Sequence, residues 1–127
     1  MNNFDFDSKL KNPPKARQIP QENDLGNIEY KWRLCDIDFY KLEKLLTQMN
    51  YRFHQGNGEA VYNLGYMDNG EPKGLPHPQM LESLGHLFKL CEKSGAIIKS
   101  FRAFQGKEGY CVNVYIVKEI TNCYNVL

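Results

Sequence analysis

Apolar and charged residues first alternate at residues 28–34. Ile28, Tyr30, Trp32 and Leu34 are interleaved with Glu29, Lys31 and Arg33. That period of two predicts a half-buried strand with its charged face toward solvent. The period then changes. Phe39, Leu42, Leu45, Leu46, Met49 and Phe53 recur at helical spacing and predict one apolar stripe for the core. Asp36 or Asp38 is placed to cap this helix, which is expected to run to about His54 with Gly56 as its stop. A second strand is expected over residues 60–67. Asn69-Gly70, a dipeptide that tolerates positive φ, then predicts a tight β-hairpin whose second arm ends near Leu75. Gly65 is expected to mark a bulge.

Pro78 suits the first turn of a second helix. Met80, Leu81, Leu84, Leu87, Phe88 and Cys91 form its apolar stripe, and Gly95 ends it. Two strands follow, Ile97 to Phe104 and Cys111 to Ile120, joined by the QGKEG turn, with Val112, Val114 and Ile116 on one face. The order is β-α-β-β-α-β-β. This predicts an α+β fold, a mainly antiparallel sheet with two helices on one face, which buries both stripes at once. Residues 1–25 show no periodicity and hold three prolines with charges of both signs. By default they form an extended, solvated tail, ordered only where something holds it. The domain is expected over 26–120 and a short C-terminal tail over 121–127.

The chain of 127 residues suits one domain with its own core. A net charge of +1 gives no bulk electrostatic case for nucleic acid, so any such contact must rest on local patches. No apolar run approaches a membrane span. The polar N-terminus lacks the features of a secretory signal. Cys35, Cys91, Cys111 and Cys123 are therefore read as reduced thiols, and the protein as cytoplasmic.

The glycine-rich stretch GNGEAVYNLGYMDNGEPKGL, residues 56–75, invites a phosphate-loop reading. None of its glycines is followed by Lys-Ser or Lys-Thr, and GNG lies between a helix and a strand rather than the reverse. A helix stop, a bulge and a tight turn explain it better. The three histidines and four cysteines lack metal-ligand spacing. Cys91 and Cys111 fall on apolar stripes, where thiols are inert. No catalytic constellation emerges, and neither a cofactor nor a metal is expected.

Phe4, Phe6 and Tyr124 lie in the expected tails. An aromatic beside a basic residue is the minimal unit for base stacking with phosphate contact. Lys9, Lys11, Lys15 and Arg17 supply charge at the N-terminus, and Lys99 and Arg102 on a strand. The competing reading is ordinary solvated surface.

Three stretches together carry a resemblance: ENDLGNIEYKWRL (22–34), LLTQMNYRFHQGNGEAVYNLGYMDNGEPKGL (45–75) and LESLGHLFKLCEKSGA (81–96). They resemble the region preceding the G domain in translational GTPases of the GTP-binding protein 1 and 2 type, over roughly residues 22–120. The G domain itself has no counterpart here, so GTP hydrolysis does not carry over. A free-standing version of this domain is similar to the microsporidian dormancy factors, which are ribosome-bound hibernation proteins. The resemblance implies a non-enzymatic protein, one copy per 80S ribosome. It would meet rRNA and ribosomal proteins near the tRNA exit (E) site and exclude tRNA there. Under it, the basic residues above join Lys31, Arg33, Arg52 and Asn57 as rRNA-contacting candidates. The glycine-rich hairpin is a presented element whose backbone approaches another surface, and Tyr124 is the candidate stacking residue. The alternative is an adaptor that binds a translational GTPase or an RNA-decay factor without touching RNA. A small thiol or acid–base enzyme ranks last.

Overall fold

The computed structural model describes residues 6–119. Phe4 and Tyr124 lie outside them. After a single helical turn, α1 (Phe6–Lys9), the elements run β1 (Ile28–Lys31), α2 (Phe39–Gln55), β2 (Glu59–Leu64), α3 (His77–Ser94), β3 (Ala96–Gln105) and β4 (Tyr110–Lys118). The sheet order is β1-β2-β4-β3. β1 and β2 are parallel, while β4 pairs antiparallel with both β2 and β3. The parallel pair needs a crossover, and α2 supplies it. Both long helices lie on one face: α2 packs on β2 and α3, and α3 packs on β3 and β4. The fold is α+β.

Capping explains the helix ends. Asp38 Oδ1 accepts the amide of Lys41 at 2.8 Å, so Asp38 is the cap of α2, and Gly56 stops it. Gly95, left-handed at φ +75°, closes α3. Val112, Val114 and Ile116 of β4 join Tyr62, Leu64, Met49, Phe53, Leu84 and Leu87 in the core between sheet and helices. Each fully buried side chain of this kind contributes ~1.5–3 kcal/mol.

Several expectations fail. Gly65 marks no bulge but follows the last residue of β2, whose ladder to β4 is unbroken, and Leu81 of the α3 stripe is 37% exposed. The hairpin's second arm is no strand. Met67–Gly70 does form a tight turn, closed by Gly70 N to Met67 O at 2.9 Å and Met67 N to Glu71 O at 2.9 Å. Beyond it the chain makes a single bridge, Leu75 to Tyr110. With Pro72 lacking an amide donor, the returning segment cannot sustain a ladder. Phe39, expected on the core stripe, is 76% exposed. It is the first residue of α2, and Ile37 and Leu42, on either side of it, pack on the core in its place. Finally, the two sides of β1 are reversed. Glu29 is buried on the helix side, whereas Ile28 and Trp32 are exposed.

Candidate nucleic-acid interface

The helices cover one face of the sheet, and the opposite face begins under the N-terminal segment. Residues 14–22 run extended as a strap. At the β3 end, Gln105 N donates to Pro14 O at 2.7 Å and Ala16 N to Gln105 O at 2.8 Å. The strap then crosses to β1. Ile19 N reaches Gly70 O at 3.1 Å, and Glu22 N reaches Asp68 O at 2.7 Å. Tyr30 Oη donates to Pro20 O at 2.7 Å, and Tyr30 N donates to the Glu22 carboxylate at 2.6 Å. Beneath lies a small apolar cluster of Ala16, Tyr30, Tyr66 and Cys111, with Ile19 and Phe104 against it. The composition that suggests a solvated tail misses this, because main-chain hydrogen bonds hold the strap more than apolar burial does.

The strap also explains the glycines. Gly70 sits at φ +89°, and a Cβ there would come within 1.8 Å of Ile19 O. At Gly74, φ +84°, it would meet Gly109 O at 2.6 Å. These residues let the chain pack on itself, with no need of an external surface. Nor do they fit a nucleotide phosphate, since the space beside Gly70 is filled by the strap.

Arg52 is a core ion-pair residue, only 4% exposed. Its Nε donates to Glu29 Oε1 at 2.8 Å, and Nη2 lies 3.6 Å from Glu22 Oε2. Its Nη1 donates to the carbonyls of Asn23 at 3.0 Å and Gly26 at 2.9 Å. The guanidinium thereby organises the loop before β1 and neutralises Glu29, which is why Glu29 can face inward. It has no surface to offer RNA. Burial pushes the Glu22 carboxyl up from its ordinary value, partly offset by the Tyr30 amide.

The other candidates divide by location. Lys31 pairs with Glu29 at 3.4 Å, and Arg33 with Glu82 at 3.0 Å. Asn57 forms the exposed left-handed turn after α2, at φ 54°. Lys9 and Lys11 are exposed near α1. Lys99 and Arg102 lie on the edge strand β3, and Lys15 and Arg17 on the strap. The strap joins that edge by the parallel bridge of Lys15 to Gln105. All four are exposed, and none forms an ion pair with a described residue. Arg102 lies over the Phe104 ring at 5.6 Å. Lys107 adds a charge across a cleft of about 520 Å³ that Lys15 and Gln105 also line, although it is bound to Glu71 at 3.1 Å.

Sequence reasoning missed the open face beside this edge. Asn113 and Tyr115 alternate with the buried valines of β4, and that period alone could have revealed them. Cys91 and Cys111 are buried, and burial pushes both thiols up to about 12. Among the described residues no group of three or more His, Cys, Asp or Glu side chains could hold a metal ion. No described helix is long and apolar enough to cross a membrane.

The chain is similar to a segment of GTP-binding protein 2. Identity is 45% over 94 residues to both the Mus musculus and Homo sapiens proteins, covering 74% of this chain. An uncharacterized protein of Acanthamoeba polyphaga mimivirus is 35% identical over 83 residues, 65% of this chain. The chain spans 15% of the GTP-binding proteins' length and 45% of the viral protein's. No protein-family profile matches the chain, and no solved structure matches it. What it shares with GTP-binding protein 2 is a stretch of 94 residues. Nowhere in the 127 residues is a glycine followed by Lys-Ser or Lys-Thr.

Proposed function

We propose that this protein is a non-catalytic cytoplasmic factor that binds the 80S ribosome. It occupies the tRNA exit site region and excludes tRNA, in the manner of the dormancy factors it resembles. The observation that carries this reading is the exposed pair Lys99 and Arg102 on the edge strand β3, whose far end the strap joins through Lys15 at Gln105. Exposed basic side chains grouped on one strand suit a phosphate backbone. The near-neutral total charge is compatible, since ribosomal docking uses such a patch together with protein contacts.

The test is cosedimentation of the purified protein with vacant 80S ribosomes, with and without excess deacylated tRNA. Stoichiometric pelleting that tRNA competes away is expected. Arg102→Glu together with Lys99→Glu should weaken it and reduce the salt slope by about 0.7 to 0.9 for each phosphate no longer neutralised. Absence of pelleting at low salt overturns the reading. The second reading, an adaptor for a GTPase or RNA-decay factor, is favoured by Phe39 and Tyr40, 76% and 68% exposed side by side at the start of α2. It predicts migration with a smaller partner in light fractions.

A further inference from the structure

The sheet face opposite the helices is covered by the strap at one end and is otherwise open among the described residues. The register orders its side chains in rows. Ser100 of β3, Tyr115 of β4, Val61 of β2 and Ile28 of β1 stand in line. One row nearer the strap come Arg102, Asn113, Asn63 and Tyr30. On the far side Ile97 meets Val117, with Glu59 next to it on β2. Ile97 is 60% exposed and Ile28 43%. The centre of the face thus holds the Tyr115 ring beside Val61, the Asn113 and Asn63 amides and the Glu59 carboxylate, and its β3 border is positive.

The central residues are held in place. Tyr115 Oη donates to Glu59 Oε1, which fixes the phenol at the surface. Asn113 Nδ2 donates to Asn63 Oδ1 at 2.8 Å, a cross-strand amide bridge in the next row. A ring already ordered loses little entropy when it stacks. At the border, β3 bulges between Ile98 and Ser100, so Lys99 interrupts the ladder. A bulge with a lysine on an edge strand opposes the addition of another strand. This argues against a second copy or an extended peptide joining the edge.

Resting on the ribosome reading, we propose that this face is a platform for unpaired RNA bases. Tyr115 is the stacking residue, and Lys99 and Arg102 take the phosphates. The charge distribution commits the face to this occupant. An unpaired strand presents flat apolar bases along one side and anionic phosphates along the other, and the face offers the Tyr115 ring and a cationic border in the same arrangement. From Lys99 to Gln105 the border spans ~20 Å at the rise of a strand, enough for a few nucleotides.

The test uses fluorescence anisotropy of the full chain with a labelled single-stranded oligouridine of about 12 nucleotides, at low salt. Tyr115→Ala should weaken binding about tenfold, the size of one stacking interaction, while Tyr115→Phe stays within about twofold because it keeps the ring. Ser100→Glu is a second variant, at an exposed position in the same row. It leaves the core intact and should weaken binding by repelling phosphate, by about threefold or more. Tyr115→Ala and Ser100→Glu proteins that bind the RNA like the native chain overturn the platform. So does a native chain that ignores the oligonucleotide yet pellets with ribosomes in competition with tRNA, because the face would then meet protein. That last outcome leaves the ribosome reading standing. Oligonucleotide binding abolished in Tyr115→Ala, with no ribosome pelleting by the native chain, would support the platform and sink the ribosome reading.

Discussion

Arg52→Met removes the guanidinium but keeps a long apolar stem. Glu29, 5% exposed, would then retain only Lys31 at 3.4 Å. The carbonyls of Asn23 and Gly26 would lose their donor. Removing one partner of a buried ion pair costs ~3–5 kcal/mol, because the remaining charge stays desolvated. The loop 22–26 can turn its carbonyls to water, so they add little. In urea, at a slope of ~2 kcal/mol/M, the midpoint should fall by roughly 2 M. The double variant Arg52→Met, Glu29→Met should recover part of that loss, since it abolishes the unpaired carboxylate. The companion measurement is the salt dependence of ribosome pelleting by the folded variant, which should be unchanged. A stability loss below ~1 kcal/mol with a reduced salt slope would refute the reasoning, and would return Arg52 to the surface as a phosphate ligand.

Gly70→Ala should detach the strap, because its Cβ would lie 1.8 Å from Ile19 O at a φ of +89°. Hydrogen exchange at Ile19 and Glu22, whose amides donate to Gly70 O and Asp68 O, should become faster than in the native chain while the core amides of β4 stay protected. The raised Glu22 carboxyl makes the native state bind more protons than the unfolded one between its ordinary value of 4.5 and the raised one. Its contribution is therefore complete below 4.5 and lost as pH rises through that window. Glu22→Gln keeps an acceptor for the Tyr30 amide and should flatten this part of a stability–pH profile. An unchanged slope would show that another group carries it. Cys91 and Cys111, with thiols raised to about 12 by burial, should resist iodoacetamide at pH near 8 until the protein is unfolded.

Periodicity, read locally, was enough to locate both long helices, to narrow the cap of α2 to Asp36 or Asp38, and to place the stops at Gly56 and Gly95 and the inner face of β4. Each depends on residues within a turn or two of one another, so local physics decides them. The tertiary structure decided which side of β1 faces the core. A charged residue can be buried only if its partner arrives, and Arg52 comes from a different element, 23 positions away. It also decided that residues 14–22 are a strap. Their anchors are backbone groups of Gln105, Asp68 and Gly70, and main-chain hydrogen bonds leave no trace in side-chain pattern. The candidate interface has the same origin. Lys15 and Arg17 lie more than eighty residues from Lys99 and Arg102 in sequence, and the bridge of Lys15 to Gln105 brings the strap to the end of the strand that carries Lys99 and Arg102. Their residue types identify them as candidates one at a time; whether they act together depends on the path of the strap.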